Sequence, residues 1–193
     1  KGNGALAVPV SLYGNRDFDD GLIELRDLLE AGGFHTIAGA AFIGEHSFSR
    51  VLAAGRPDAK DLEIADQFAR QAAEKAAAWD PAVPHTPAPV RGEEPIRPYY
   101  QPRDRKGNPI DIRKVKPKTS DACDNCGLCA RVCPMGSIDP EDVRAFRGIC
   151  IKCGACIKKC PKGAKYYDDP GYLYHKEELE LGYARRAEPA LFL

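Results

Sequence analysis

The sequence has no excess of charge of either sign, with 28 Lys and Arg residues against 28 Asp and Glu residues. A neutral chain offers no global field for nucleic acid or for an anionic membrane surface. No apolar run reaches the about 18–20 residues that a membrane-spanning helix needs, and no secretory signal pattern is visible. We therefore expect no nucleic-acid partner, no membrane span and a cytoplasmic location.

Cysteine is absent from most of the chain, because all eight cysteines lie between Cys123 and Cys160. They form two sets with the same spacing, and a shift of 27 residues maps the first set onto the second. The first set is Cys123, Cys126, Cys129 and Cys133, followed by Pro134; the second is Cys150, Cys153, Cys156 and Cys160, followed by Pro161. In a reducing cytosol, cysteines at such spacing predict metal ligation rather than disulfides.

The spacing indicates which metal centre the cysteines bind. Three closely spaced thiolates can hold three corners of a [4Fe–4S] cluster, and in two-cluster proteins the last cysteine of the other repeat holds the fourth. The predicted ligands of cluster 1 are Cys123, Cys126, Cys129 and Cys160, and those of cluster 2 are Cys133, Cys150, Cys153 and Cys156. Zinc is the alternative, but Cys₄ zinc sites usually have two C-x-x-C pairs and need no third cysteine at this spacing.

The second repeat is rich in cations. Residues 143–167 contain seven Lys and Arg residues and no acidic residue: Arg144, Arg147, Lys152, Lys158, Lys159, Lys162 and Lys165. An oxidised cluster with four thiolates carries a charge of about −2, so part of this charge balances the cofactor. The remainder either is a solvated surface or attracts an acidic redox partner.

The first part of the chain predicts strands that alternate with helices. Residues 5–13 and 34–43 are apolar runs typical of buried parallel strands, although Pro9 interrupts the first. A helix is predicted from Asp19 or Asp20 to the pair Gly32-Gly33, and a second from Pro57 through Ala78. This order indicates a doubly wound parallel sheet.

Two strands are too few for a stable sheet. The chain also starts at Lys1, and its only methionine is Met135. We therefore expect residues 1–79 to be the C-terminal part of a larger α/β domain. The predicted fold class is α/β plus α+β, with the cysteine module at residues 119–167 as the second domain.

Two further segments show weaker patterns. Residues 80–118 hold nine of the 16 prolines and are predicted to be an extended linker, either a solvated spacer or a strap that lies on a neighbouring surface through Tyr99 and Tyr100. In the tail, residues 168–193, we expect a short helix between His175 and Leu181 and a docked apolar end. The histidines at positions 35 and 46 have no spacing that indicates a metal site.

Residues 120–167 resemble the bacterial two-[4Fe–4S] ferredoxin, through the runs Cys-Asp-Asn-Cys-Gly-Leu-Cys-Ala-Arg-Val-Cys-Pro and Cys-Ile-Lys-Cys-Gly-Ala-Cys-Ile-Lys-Lys-Cys-Pro. The resemblance implies a ferredoxin-like two-cluster module that transfers single electrons. It also implies a redox protein as the partner, either acidic or flavin-containing.

The N-terminal part is similar to the second half of the flavodoxin-like domain in proteins that fuse flavodoxin and ferredoxin modules. The similarity lies in Tyr13, Gly14, Asn15 and Arg16 and in the run Ala-Phe-Ile-Gly-Glu-His-Ser-Phe at residues 41–48. It implies that residues 13–16 border a flavin ring. Because no phosphate-binding loop opens a helix in this sequence, we expect FMN to bind only in a full-length parent.

These patterns predict an electron-transfer iron–sulfur protein, and an electron carrier rather than a stand-alone enzyme. Two alternatives stay open. One is an FMN-dependent reductase, or its electron-donating part. The other is a zinc-stabilised binding module.

Overall fold

The computed structural model describes all residues, 1–193, and the chain divides into two compact units. Unit 1 comprises residues 1–46, 52–100 and 185–193, and unit 2 comprises residues 47–51 and 101–184. None of the helices combines the length and the apolar character that crossing a membrane requires.

The helices and strands are short except for three helices. In chain order they are β1 (Leu6–Ala7), β2 (Val10–Tyr13), α1 (Gly21–Ala31), β3 (His35–Thr36), β4 (Gly39–Ile43), α2 (Ala59–Ala77), β5 (Lys118–Thr119), α3 (Leu128–Arg131), α4 (Ala155–Lys158), β6 (Lys165–Tyr166), α5 (Pro170–Gly182) and β7 (Ala190–Phe192). The predicted strand–helix–strand–helix order of the first 79 residues is confirmed.

Unit 1 contains two parallel strand pairs and one antiparallel strand. β1 pairs with β3, and β2 pairs with β4, with Val10 opposite Ala40. The break between β1 and β2 is at Pro9, which has no N–H for a ladder but whose carbonyl oxygen accepts a hydrogen bond from the Ala40 N–H at 3.1 Å. On its other side β4 pairs with β7 in antiparallel orientation. The predicted docking of the apolar chain end is confirmed. At the edge of β4 where a doubly wound sheet would add a parallel strand, the tail adds an antiparallel one.

The core of unit 1 includes residues from the proline-rich segment. Ala88 and Val90 are buried together with Leu22 and Ile23 of α1 and Ala41 of β4. The Ala88 N–H donates to the Thr36 carbonyl oxygen at 3.1 Å. Residues 80–100 are therefore not solely a solvated spacer: Ala88 and Val90 contribute to the core of unit 1, although Val83 and Ile96 are exposed.

Polar contacts hold the same segment against α1. The Asp20 carboxylate accepts hydrogen bonds from the backbone N–H of Arg97 at 2.9 Å and from its guanidinium at 2.9 and 2.5 Å. The Tyr99 hydroxyl donates to the Glu24 carboxylate at 2.6 Å. The interpretation of a strap over a neighbouring surface fits residues 80–100, whereas residues 101–118 belong to unit 2.

In unit 2, α5 begins five residues before the predicted start. Asp169 precedes the helix and accepts a hydrogen bond from the Tyr172 N–H at 2.8 Å, and Pro170 occupies the first helical turn. An aspartate cap followed by proline is a strong helix start. The helix buries Tyr172, His175 and Leu179 on one side.

A buried ion pair stabilises the start of α2 in unit 1. Asp58 and Asp61 form a capping box, in which each side chain accepts a hydrogen bond from the other residue's N–H. The Asp61 side chain is 1% exposed and accepts two hydrogen bonds from the Arg56 guanidinium. Arg56 also donates to the Ala187 carbonyl oxygen at 3.1 Å, so this pair joins the helix start to the tail.

Replacing Arg56 with alanine should destabilise unit 1 by about 3 kcal/mol, because it leaves the buried Asp61 carboxylate without its main partner. The matched control is Arg70→Ala, which removes an arginine from the exposed pair with Asp66 on α2 and should change stability little. Urea unfolding followed by the fluorescence of Trp79, the only tryptophan, measures both variants. An effect of Arg56→Ala as small as that of Arg70→Ala would contradict the role of the buried pair.

Candidate metal centre

The two cysteine repeats of unit 2 have the same backbone conformation. Gly127 and Gly154 precede α3 and α4 with φ and ψ of 71° and 0° and of 72° and −2°. The left-handed residues recur in pairs 27 residues apart: Asn125 and Lys152, Gly127 and Gly154, Gly136 and Gly163. The sequence duplication is therefore also a structural duplication, in which each loop turns sharply between its second and third cysteines.

Two cavities separate the eight thiols into sets of four. The first cysteine cavity is lined by Cys123, Cys126, Cys129 and Cys160, and the second cysteine cavity by Cys133, Cys150, Cys153 and Cys156. Each cavity thus has three closely spaced cysteines from one repeat and the last cysteine of the other. All eight cysteines are free thiols.

Backbone amides point at the last cysteine of each repeat. The Ser137 N–H donates to the Cys133 sulfur at 3.3 Å, and the Ala164 N–H donates to the Cys160 sulfur at 3.3 Å. Burial acts to raise the pKa of both thiols, but these and neighbouring amide hydrogen bonds outweigh burial and lower the pKa. These hydrogen bonds favour the thiolate form of both groups, which is the form that binds metal.

The third cysteine of each repeat has a raised pKa instead of a lowered one. Burial raises the pKa of Cys129, and it raises the pKa of Cys156 to about 11. A buried thiolate needs a nearby cation, and metal ligation supplies one and deprotonates the thiol outright. Four sulfur donors in each cavity, with amide hydrogen bonds and a partly apolar wall, fit an iron–sulfur cluster.

The apolar core next to these cavities is small. Only Ile138 and Val143 are buried together with Cys129, while Phe146 packs at its edge. A module with so few large apolar side chains gains little from hydrophobic burial. We therefore expect ligation to contribute a substantial part of its folding free energy.

Aromatic residues of unit 2 stand at one side of the second cysteine cavity. Tyr167 lines this cavity, and its hydroxyl lies 3.8 Å from the Cys150 sulfur. The Tyr167 ring packs on Tyr172 with centroids 4.0 Å apart, and Phe48 lies 4.8 Å from Tyr172. Burial raises the pKa of both tyrosines, so their hydroxyls stay protonated at neutral pH.

Fewer cations of the second repeat are free to attract an acidic partner than their number indicates. Lys152 and Lys165 are buried: the Lys152 ammonium donates to the carbonyl oxygens of Arg113 and Cys150 at 2.7 and 3.0 Å, and the Lys165 ammonium donates to Thr119 and Val143. Three others face acidic residues outside the counted window: Arg147 with Asp139 at 2.5 Å, Lys162 with Asp124 at 3.6 Å and Arg144 with Asp121 at 3.9 Å. Part of the predicted basic surface is therefore structural.

The predicted flavin-edge residues lie together at the carboxyl end of β2 in unit 1. Tyr13 packs against Phe18 with centroids 5.5 Å apart, and an ideal Cβ on Gly14 would lie 2.6 Å from the His46 ring. The Asn15 side chain is buried: its amide donates to the Arg185 carbonyl oxygen at 2.6 Å and accepts from the Ala187 N–H at 3.1 Å. Arg16 pairs with Asp19, and its guanidinium carbon lies 3.9 Å from the centroid of the Tyr100 ring. These side chains therefore already make contacts within unit 1.

Comparison with protein families finds one match. Residues 122–165 match the family of 4Fe-4S dicluster domains. Comparisons with curated proteins and with solved structures find no match. The family match covers both cysteine repeats, and it supports a ferredoxin-like iron–sulfur module with an electron-transfer role.

Equivalent glycines in the two repeats should respond differently to alanine. Both Gly127→Ala and Gly154→Ala place a Cβ on left-handed backbone, which costs about 1–2 kcal/mol. At Gly154 the Cβ would also overlap the Ser47 carbonyl oxygen, whereas at Gly127 the nearest atom is 3.2 Å away, on the flexible Arg131 side chain. We expect Gly154→Ala to lower the temperature of iron release, followed by visible absorbance, by more than Gly127→Ala does. Equal effects would contradict the close contact at Gly154.

Proposed function

We propose that this chain is a ferredoxin-type electron carrier that holds two [4Fe–4S] clusters, one in each cysteine cavity. The observation that carries the proposal is the separation of the eight thiols into two sets of four, within the residues that match the 4Fe-4S dicluster family. When bound, such clusters supply one-electron redox chemistry. The protein supplies the ligands, the hydrogen bonds and the surface for its partner.

The crossed ligand assignment belongs to this proposal. Cys123, Cys126, Cys129 and Cys160 hold cluster 1, and Cys133, Cys150, Cys153 and Cys156 hold cluster 2. The lining of the two cavities supports this assignment, because Cys160 lies with the first repeat and Cys133 with the second. Since each cavity needs both repeats, neither repeat can complete a site alone.

The side chains around each cavity have distinct roles in the proposal. Ile138 and Val143 exclude water next to the sulfurs. The amides of Ser137 and Ala164 hold the last cysteine of each repeat and stabilise negative charge on it. Such hydrogen bonds, together with burial, set the reduction potential of a bound cluster.

The surface near the second cysteine cavity offers a place for a redox partner. Cys153 is exposed, and Met135, Ile149 and Ile151 are exposed apolar residues that line the same cavity. Exposed apolar residues beside a redox site fit a transient protein contact. We propose a redox protein as the partner, either acidic or flavin-containing, that contacts this surface.

The roles of Tyr13, Gly14, Asn15 and Arg16 at a flavin edge stay a prediction, and so does FMN binding in a full-length parent. An FMN-dependent reductase would release a yellow flavin from the pure parent protein. A zinc-stabilised module would instead contain zinc and no acid-labile sulfide.

Anaerobically purified protein should contain about eight iron and eight sulfide per chain. After reduction with dithionite, electron paramagnetic resonance should give the spectrum of two interacting reduced clusters. A colourless protein with bound zinc and no sulfide would refute the proposed function. Iron near half the expected amount in repeated preparations would refute the presence of two clusters.

Double substitutions test the crossed assignment by iron content. Cys126→Ser with Cys160→Ser removes two ligands from one cavity and should leave about four iron per chain. The matched pair Cys126→Ser with Cys133→Ser removes one ligand from each cavity and should perturb both clusters. The reverse pattern, with a half-loaded protein only in the second pair, would show that each repeat holds its own cluster.

A further inference from the structure

Three side chains of unit 1 with metal-binding groups converge, although they are distant in sequence. Glu30 is in the last turn of α1, His35 is in β3, and His85 follows α2. One ligand atom from each lies within 4.8 Å of the others. The His85 Nε2 atom is 2.9 and 3.1 Å from the two Glu30 carboxylate oxygens.

The Glu30 carboxylate is held by the backbone of the next strand. The Thr36 N–H donates to its Oε1 atom at 2.7 Å, and the Thr36 hydroxyl donates to the same oxygen. The other oxygen, Oε2, contacts His85 at 3.1 Å. A carboxylate with one oxygen fixed by protein donors is oriented in the way that metal ligands commonly are.

The His35 ring has a buried nitrogen without a partner. Its Nδ1 atom is buried and forms no hydrogen bond. An unpaired buried polar atom costs about 1–3 kcal/mol, so such atoms in proteins call for an explanation. The ring is fixed between aromatic neighbours, with centroids 4.5 Å from His85 and 5.4 Å from Trp79.

We propose that Glu30, His35 and His85 bind a divalent transition-metal ion of the zinc type. Two imidazoles and one carboxylate are a common donor set for Zn²⁺. In this proposal His35 binds the ion through Nδ1, which gives that nitrogen a partner, and the ion replaces the hydrogen-bonding proton between His85 and Glu30. The site uses no cysteine, and it lies in unit 1, apart from the proposed cluster ligands.

The three donors come close to a ligating geometry. Zinc binds nitrogen and oxygen at about 2.0–2.2 Å, so two donors of one tetrahedral ion lie about 3.4 Å apart. The three donor atoms lie within 4.8 Å of one another, so side-chain rotation has to bring the most distant pair closer by roughly 1 Å. Three protein ligands leave a fourth position open, and His85 and Thr36 also line a cavity of about 370 Å³ beside Trp79 and Lys75. Water or a small ligand could occupy that position.

The simpler interpretation is that His85 and Glu30 form a hydrogen bond that only attaches the segment after α2 to α1. It explains the 2.9 Å contact, but it leaves His35 Nδ1 without a partner. The two interpretations differ in one measurable property, which is saturable binding of Zn²⁺ at this position.

The sole tryptophan, Trp79, provides a direct probe because its ring lies 5.4 Å from the His35 ring and 5.3 Å from the His85 ring. The full chain, as isolated without air, is titrated with Zn²⁺ while Trp79 emission is recorded. We expect one saturable site. Glu30→Gln and His85→Gln should weaken binding by at least about 10–100-fold, the loss seen even for outer-shell partners. Glu74→Gln, at an exposed glutamate of α2, should bind as the unmodified chain does.

X-ray absorption at the zinc edge of the unmodified chain separates this site from zinc on the cysteines. We expect a shell of nitrogen and oxygen at about 2.0–2.1 Å, whereas cysteine ligation gives sulfur at about 2.3 Å. Absence of the nitrogen and oxygen shell, unaltered binding in both variants, or no saturable change in Trp79 emission would overturn the proposal. Circular dichroism of the variants checks their folding. The Trp79 signal and its weakening in the variants report on this site whether or not the cysteines hold clusters.

Discussion

The thiols of unit 2 have to be brought together in fours, and most of its local structure serves this convergence. Left-handed glycines at positions 127 and 154 turn each loop so that three cysteines face one cavity. The chain then carries the last cysteine of each repeat to the other cavity. Because each cavity draws on both repeats, the repeats cannot separate without opening both cavities. The crossing therefore provides cohesion that the small apolar core around Ile138 and Val143 does not.

Charge must be balanced in the same small volume. Thiolates in a partly buried site repel one another. A buried lysine ammonium without a negatively charged partner would also destabilise the fold. Lys165 is buried, and its positive charge acts to lower the pKa of both Cys129 and Cys156, one from each cavity. Its ammonium is held by Thr119 and Val143. We interpret Lys165 as a fixed internal counter-charge for both cysteine sets, which explains why a lysine is tolerated at a buried position.

Sequence patterns predicted the parts of the structure in which one local rule dominates. The start and stop residues of α1 and α2 and the doubled cysteine spacing are rules of this kind, and each corresponds to an observed helix or loop. The packing of residues 80–100 had no such signal, because proline-rich segments lack periodicity and Ala88 and Val90 are single apolar residues among prolines. The pairing of Arg147 with Asp139 and the approach of His85 to Glu30 and His35 depend on the tertiary fold, so spacing along the chain could not predict them.

The two units also show why a boundary at a linker is a poor description of this chain. Residues 47–51 come from the N-terminal part but belong to unit 2, where the Arg50 guanidinium donates to the Ile157 carbonyl oxygen at 2.8 Å and Ser49 donates to Glu180 at 2.5 Å. Ser47 also lies against Gly154, next to the second set of cysteines. In turn, β7 from the chain end completes the sheet of unit 1.

A fragment limited to residues 119–167 would keep all eight thiols but lose the segment that packs on the second loop. The surroundings of the two cavities therefore differ, although their cysteine spacing is identical, and such surroundings are what tunes the reduction potential of a bound cluster.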